Sequence, residues 1–147
     1  MRLAVRLTRF TDNALRTLTL LALHPDADVT VSEIARRMRM SEDHMFKVVH
    51  GLAAAGYVET KRGRTGGVRL ARAPAAINIG AVVRDTEESF ALVECFTPET
   101  NQCPIAPACV LAKTLDRALA AFLAVLDEIT LAELIVQPRK LERLLSA

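Results

Sequence analysis

The chain has 147 residues, of which 51% are hydrophobic and only 4% aromatic, and its formal net charge is +2. This length suffices for one compact unit with an extension rather than for two independent domains, and no apolar run reaches the roughly 18 residues needed to cross a membrane. Because the first ten residues also contain too short an apolar run for a signal peptide, we expect a cytoplasmic protein with no membrane partner.

Charge is unevenly distributed along the chain. Residues 1–72 contain 13 Lys or Arg and 7 Asp or Glu, whereas residues 73–147 contain 6 and 10. A basic first half suits a polyanion such as DNA, although solvated helix faces would produce the same count. Charge alone therefore leaves DNA binding and an ordinary solvated surface both open.

The N-terminal pattern predicts three short helices. The first runs from about Thr11 to Leu23, where apolar residues recur at helical spacing until a proline forbids continuation. The segment from Thr30 to Glu33 forms a capping box that opens the second helix. Ser41 can cap the third, which ends near Gly56, where glycine permits a left-handed stop.

The second and third helices form a helix-turn-helix candidate. The turn between them holds Arg39, where a glycine would be easier. The outward side of the third helix can meet base edges or phosphates in a major groove, and the alternative is a solvated helix face. The candidate DNA contacts on this helix are Ser41, Asp43, His44, Lys47 and His50.

Two short β patterns follow, at residues 57–61 and 68–71, joined by a glycine-rich turn that carries Arg62 and Arg64. Guanidinium groups on such a hairpin can contact the DNA backbone or a narrow minor groove. A phosphate-binding loop is disfavoured because the Walker spacing is absent. We therefore predict a mainly α fold with a small β-wing, in which residues 1–76 form a winged helix-turn-helix DNA-binding domain.

The second half predicts a connecting helix and a long dimerisation helix. Asn78 can cap a helix from Ile79 to Glu87, and Pro107 lies where prolines begin helices. Apolar residues then repeat every three to four positions from Leu111 to Asp127. A twofold-related copy would cover this stripe, and packing within one chain is the alternative. We assign residues 77–110 to the connecting helix and cysteine loop, 107–136 to the dimerisation helix and a short helix through Ile135, and 137–147 to a frayed tail.

All three cysteines, Cys95, Cys103 and Cys109, lie in one segment that prolines interrupt. Their odd number, in a reducing compartment, disfavours structural disulfides. Thiolates suit iron–sulphur clusters or zinc, but no Cys-x-x-Cys pair or obvious fourth zinc ligand is present. The spacing alone leaves open an iron–sulphur cluster, redox-active thiols, and zinc-bound or inert cysteines.

Taken together, these motifs resemble the NsrR branch of the IscR/NsrR family of winged-helix iron–sulphur regulators. The resemblance rests on the Leu-Thr-Arg-Phe-Thr-Asp run ending at Asp12, the helix from Ser41 to Leu52, the turn at 62–67, the cysteines with Pro-Ala before Cys109, and the run from Asp127 to Leu134. It covers nearly the whole chain after Arg6. It implies a homodimeric repressor that binds palindromic double-stranded operator DNA and responds to nitric oxide.

The resemblance also implies the cluster ligands. Cys95, Cys103 and Cys109 would hold a [4Fe-4S] cluster in preference to a [2Fe-2S] cluster, and Asp12 of the partner subunit would be the fourth ligand. Without the resemblance, Asp12 is explained as a carboxylate that the helix dipole favours in the first turn of helix one. IscR-type sites instead use a histidine three residues beyond the third cysteine, where this chain has Ala112.

One departure from the family pattern and two rival functions bear on this hypothesis. The interval between Cys95 and Cys103 is longer than in the relatives. A regulator of the same fold that senses iron–sulphur supply or redox state is the closest alternative. A thiol enzyme would need a base near the cysteines, and the sequence offers no Cys/His pairing for that role, so we predict no enzyme activity.

Overall fold

The structure is a computed structural model that describes residues 5–146. Residues 1–4, which begin the stretch considered as a signal peptide, and Ala147, the end of the predicted tail, lie outside the described residues. None of the described helices is both long and apolar enough to cross a membrane. In chain order the elements are α1 (Arg9–Leu23), α2 (Val31–Met38), α3 (Glu42–Ala54), β1 (Val58–Lys61), β2 (Gly67–Leu70), α4 (Ile79–Thr86), α5 (Val110–Asp127), α6 (Leu131–Leu134) and α7 (Pro138–Ser146).

Helix α1 begins at Arg9, earlier than the predicted start at Thr11. The hydroxyl of Thr8 accepts a hydrogen bond from the Thr11 backbone N–H at 3.2 Å, so Thr8 is the residue that caps the helix. The Glu87 carboxylate accepts hydrogen bonds from the backbone N–H and the hydroxyl of Thr8 at 2.7 and 3.1 Å. The start of α1 is therefore joined to the residue that follows α4.

The caps predicted for α2 and α3 are confirmed in part. Thr30 accepts a hydrogen bond from the backbone N–H of Glu33 at 3.1 Å, and Ser41 accepts one from His44 at 3.3 Å. The Glu33 carboxylate accepts hydrogen bonds from Arg36, at 2.7 and 2.9 Å, so its predicted half of the capping box is not formed. The predicted inner stripe of α3 is buried at all four positions, Met45, Val48, Val49 and Leu52.

Arg39 forms the turn between α2 and α3 in the left-handed conformation, with φ of 55°. Its backbone N–H donates to the Arg36 carbonyl at 3.1 Å, and that of Met40 donates to the Ala35 carbonyl at 2.8 Å. A Cβ atom makes this conformation unfavourable by about 1–2 kcal/mol. The helix-turn-helix geometry is therefore present, but one non-glycine residue bears its strain.

Replacing Arg39 with glycine is expected to raise the free energy of unfolding by about 0.5–1 kcal/mol, because glycine relieves the strain but loses more backbone entropy on folding. The side chain of Arg39 is exposed, so little packing is lost. Denaturant unfolding of Arg39→Gly beside Arg39→Ala, which keeps the Cβ atom, measures the effect. An equal gain in both variants would contradict the strain explanation.

The wing is an antiparallel hairpin in which Val58 pairs with Leu70 and Lys61 with Gly67. Val29 adds a short bridge to Val68 and ties the hairpin to the loop before α2. At the tip, a Cβ atom on Gly66 would lie 2.2 Å from the Lys61 carbonyl oxygen, so only glycine fits. The predicted β-wing is confirmed.

An ion pair also joins the wing to the loop before α2. Arg69 of β2 donates two hydrogen bonds to the Asp28 carboxylate, at 2.6 and 2.8 Å. The hydrogen bond from Arg69 holds the pKa of Asp28 below its usual value. The guanidinium of Arg69 is therefore paired with Asp28, while its side chain remains 46% exposed.

The hydrophobic core extends beyond the predicted 1–76 domain. Ile77, Ile79, Val82 and Leu131 are buried in the same core as the leucines of α1. The Leu131 backbone N–H donates to the Ile77 carbonyl at 2.8 Å, which joins α6 to the chain entering α4. Helices α1, α4 and α6 therefore form a packed base beneath the helix-turn-helix.

Tyr57 connects the end of α3 to α4. Its hydroxyl donates to the Asp85 carboxylate at 2.6 Å, and the Arg72 guanidinium lies 4.8 Å from its ring centre. Burial and then this hydrogen bond raise the pKa of Tyr57 to about 12, so the hydroxyl remains a donor at neutral pH. The base of the wing is thereby held against α4.

The end of α5 is fastened to α4. Arg84 donates two hydrogen bonds to the Asp127 carboxylate, at 2.5 and 2.7 Å. A Cβ atom on Gly80 would lie 1.9 Å from the same carboxylate, so glycine leaves space for the ion pair. Asn78 caps α4 as predicted, accepting from the Ala81 N–H at 2.9 Å, and its amide also donates to the Asp127 carbonyl.

Helix α5 begins at Val110, and the predicted start at Pro107 is wrong. Pro107 lies in a short 3-10 turn, Ala106–Ala108. The Cys109 sulphur accepts a hydrogen bond from the Ala112 backbone N–H at 3.4 Å and so caps the helix. A residue named as a cluster ligand thus also has a structural role.

The predicted frayed tail is also wrong, because Pro138–Ser146 forms helix α7, which packs against α2. Arg37 of α2 is only 8% exposed and contacts the Glu142 carboxylate of α7. One guanidinium nitrogen of Arg37 lies 2.7 Å from His24 Nε2, and that ring nitrogen lies 3.2 Å from the Glu142 carboxylate. A partly buried ion pair therefore joins the C-terminal helix to the helix-turn-helix.

Candidate nucleic-acid interface and cysteine loop

The outward side of α3 presents most of the predicted DNA contacts. Ser41, Asp43, Lys47 and His50 are exposed. His44 differs from the prediction, because it is only partly exposed and its Nε2 atom is buried without a hydrogen-bond partner. His44 lies at the edge of the buried stripe, and that ring nitrogen cannot reach DNA in this conformation.

Sequence reasoning missed Phe46 on the same side of the helix. Its side chain is 55% exposed, and it lies between Asp43 and His50 at helical spacing. The recurrence of exposed positions at intervals of three and four residues would have included it.

A groove separates α3 from the wing. It is lined by Phe46, Val49 and Ala53 of α3, by residues 30–32 at the start of α2, and by Lys61 and the wing glycines. Arg62 and Arg64 extend beyond it as exposed residues of the hairpin turn. Cations on the wing and the exposed side of α3 therefore flank one concave surface, as binding to a DNA duplex requires.

The cysteine loop joins α4 to α5. Cys95, Cys103 and Cys109 are free thiols, each partly exposed. Short 3-10 turns at Glu94–Phe96 and Ala106–Ala108 interrupt the loop. Among residues 5–146, no group of three or more His, Cys, Asp or Glu side chains is arranged to hold a metal ion. The loop places the three thiols in one segment but does not bring them together as a ligand set.

The donor chemistry nevertheless fits an iron–sulphur cluster. Cys109 lies at the N-terminus of the 18-residue helix α5, where its sulphur accepts the Ala112 backbone N–H. The Cys103 backbone N–H donates to the Asn101 side chain at 3.0 Å, which shapes the loop before the second thiol. Three reduced thiols on one irregular segment can serve as soft ligands once the loop closes.

Asp12 lies in the first turn of α1. Within residues 5–146 it is not part of any group of His, Cys, Asp or Glu side chains arranged to hold a metal ion. Its carboxylate accepts hydrogen bonds from Arg16 and pairs with that side chain at 2.7 Å. The Asp12 side chain is 49% exposed, so it is accessible to a second subunit. Both explanations given for Asp12 remain compatible with this geometry.

Helix α5 has no buried residue in the single chain. Four large apolar side chains on it are exposed, Val110, Leu111, Phe122 and Val125. The exposed fraction reaches 76% at Val110. Within the single chain, these apolar side chains are left in contact with solvent.

Known proteins resemble this chain over nearly its full length. Residues 7–137 match the Rrf2 family, described as "Iron-dependent Transcriptional regulator". The HTH-type transcriptional regulator NsrR of Geobacillus kaustophilus is 48% identical over 142 residues, covering 96% of this chain and 97% of that protein. NsrR of Bacillus licheniformis is 46% identical over 143 residues, covering 97% and 100%. Among solved structures, T. potens IscR matches with a TM-score of 0.72 and 26% identity, covering 90% of this chain and 87% of that one.

Proposed function

The chain belongs to the Rrf2 family of transcriptional regulators, and from that premise we propose that it is a cytoplasmic, homodimeric repressor whose binding to palindromic operator DNA is controlled by an iron–sulphur cluster that reacts with nitric oxide. The expected winged-helix fold and DNA-binding regulation, in place of enzyme activity, are confirmed by the family. The repressor action, the cluster and its signal, the dimer and the location belong to the proposal.

The observation that carries the proposal is the cysteine loop. Its three thiols are unpaired and partly exposed. The loop leads directly into α5, an 18-residue helix that has no buried residue in the single chain. The loop ends at Cys109, whose sulphur caps α5. One of the three thiols therefore stands at the start of the helix proposed for dimerisation. A ligand held by the loop would therefore act directly on the start of the dimerisation helix.

Cys95, Cys103 and Cys109 would hold a [4Fe-4S] cluster together with Asp12 of the partner subunit. When bound, the cluster supplies iron that reacts with nitric oxide. The residues of this chain link that site to the DNA-binding surface. Asp12 lies in α1, which packs against α3, so a ligand shared between subunits would fix the distance between two recognition helices.

The DNA contacts proposed for each subunit lie on two elements. Ser41, Asp43, Lys47 and His50 would meet one major groove from α3. Arg62 and Arg64 would contact the backbone or the adjacent minor groove from the wing. His44 would contribute only after a change of its ring orientation, because its Nε2 atom is enclosed.

The first experiment is native mass spectrometry of anaerobically purified protein, before and after less than one equivalent of nitric oxide. A dimer with one four-iron cluster per chain, converted stepwise by nitric oxide, is expected. A metal-free or zinc-loaded dimer from an anaerobic preparation would contradict the cluster and leave a thiol or zinc switch on the same fold.

The substitution Asp12→Ala is expected to leave folding intact and to weaken retention of the cluster by about 10-fold or more, since one of four ligands is lost. The matched control is Arg16→Ala, which removes the Asp12 partner and keeps the carboxylate. Cluster mass and visible absorbance are followed during incubation with a chelator. If Asp12→Ala loses its cluster no faster than Arg16→Ala and responds to nitric oxide like the wild type, ligation across the dimer is contradicted.

A further inference from the structure

Phe46 is a large apolar side chain in the middle of a charged surface. It is 55% exposed, although burying an aromatic ring is ordinarily favourable. Asp43, Lys47 and His50 lie around it on the same side of α3. A single exposed apolar residue needs no explanation on an ordinary surface. On the side of a recognition helix, however, its position predicts a specific contact.

The groove beside Phe46 supports that prediction. Phe46, Val49 and Ala53 line it from α3, and Lys61 lines it from the wing. The N-terminal half of the chain carries an excess of Lys and Arg over Asp and Glu. This charge favours a polyanion over an apolar peptide as the occupant, and the duplex is the polyanion that the family binds.

The major groove of DNA offers one apolar group to such a side chain, the 5-methyl group of thymine. Charged and polar residues of α3 can read hydrogen-bonding edges but gain nothing from a methyl group. We propose that Phe46 is a specificity-determining residue that packs against thymine methyl groups, so that each half of the operator contains a thymine opposite it. This inference rests on the DNA-binding function and adds the chemistry of one base position.

The test starts with the anaerobically purified full-length protein and a randomised duplex library, from which bound sequences are selected. Each thymine of the selected duplex is then replaced by deoxyuridine, which removes only the methyl group. For the wild type, affinity is expected to fall about fourfold for each methyl group that Phe46 contacts. For Phe46→Ala, the same replacement is expected to change affinity by less than a factor of two.

Two variants serve as controls. Phe46→Leu keeps an apolar side chain and is expected to retain part of the methyl sensitivity. Lys47→Ala removes a charge next to Phe46 and is expected to weaken binding while leaving the methyl sensitivity intact, whether Lys47 meets a base edge or a phosphate. Because Phe46 and Lys47 are both exposed, all three variants are expected to unfold at the wild-type denaturant concentration within error.

The outcomes separate the inference from the function on which it rests. Methyl sensitivity that is absent in the wild type, or equal in Phe46→Ala, would overturn the role of Phe46 while leaving operator binding in place. Specific binding that is unaffected by Phe46→Ala on every duplex would also overturn it, and would leave a protein partner as the occupant of the groove. Failure to enrich any sequence would contradict operator binding itself, and the inference with it.

Discussion

Replacing Cys109 with alanine is expected to abolish cluster binding and operator binding together and to lower the free energy of unfolding by about 1 kcal/mol. The two effects have different causes. The thiolate is a proposed ligand, and the same sulphur accepts the Ala112 N–H at the start of α5. Loss of a helix cap costs roughly this amount, whereas loss of one of three thiolate ligands removes most of the affinity of a cluster site.

Cys109→Ser is the matched variant that separates them. A serine hydroxyl is a good N-cap but a poor ligand for iron, since soft thiolates are preferred in clusters. We expect Cys109→Ser to unfold like the wild type and to lack the cluster, as judged by denaturant unfolding and by iron and sulphide content. A serine variant that keeps a full cluster, or an alanine variant as stable as the wild type, would refute the corresponding half of the argument.

The elements that sequence reasoning placed correctly are those with local signals. The stripe of α3, the cap at Ser41 and the left-handed glycine at Gly56, with φ of +77°, each depend on residues a few positions apart. The wing was predictable because its turn is rich in glycine, and only glycine fits at Gly66. Periodicity and turn chemistry report short-range geometry, and these elements need little else.

The errors have long-range or competing causes. Pro107 is compatible with a helix start, but a thiol two residues later provides the cap, so α5 begins after Cys109. The DNA contact of His44 stays a prediction, but its partial burial was not predicted, because spacing alone does not decide exposure at the boundary between the two sides of α3. The start of α1 at Arg9 has a local and a distant cause, because Thr8 caps the helix and Glu87, 79 residues away in sequence, accepts hydrogen bonds from Thr8.

The candidate cluster site shows a further limit of sequence reasoning. Spacing and residue type identified three possible ligands, because thiolates suit iron. The prolines predicted that the loop is irregular but not how it is folded, and within residues 5–146 the thiols are not arranged as a metal-ligand group. Asp12 could be assigned only by resemblance, since a carboxylate in the first turn of a helix has an equally good explanation without metal.

The helix-turn-helix also depends on a segment that lies beyond the family match at residues 7–137. Helix α7 comes after that span and holds Arg37 of α2 through Glu142. The two residues are 105 positions apart, so no local pattern could pair them. Because Arg37 is only 8% exposed, the ion pair is shielded from salt more than an exposed pair would be.

Substituting Glu142 with glutamine is expected to destabilise the attachment of α7 by about 2 kcal/mol. Breaking a buried pair costs about 3–5 kcal/mol when one charge is left uncompensated. The value here is lower because the Glu142 side chain is 40% exposed and Glu33 remains 4.0 Å from Arg37. Hydrogen exchange of residues 138–146, together with denaturant unfolding, distinguishes detachment of α7 alone from loss of global stability.

The double variant Arg37→Met with Glu142→Leu supplies the control, because it removes the buried cation together with its partner. Replacing both charges by apolar groups of similar size is often neutral or stabilising, so we expect the double variant to recover most of the exchange protection that Glu142→Gln loses. His24 keeps its Arg37 contact in Glu142→Gln and loses both partners in the double variant, so recovered protection in the double variant cannot come from His24. If protection of α7 is unchanged in Glu142→Gln, or if the double variant is as poorly protected as the single one, the ion pair is not what holds α7 against the helix-turn-helix.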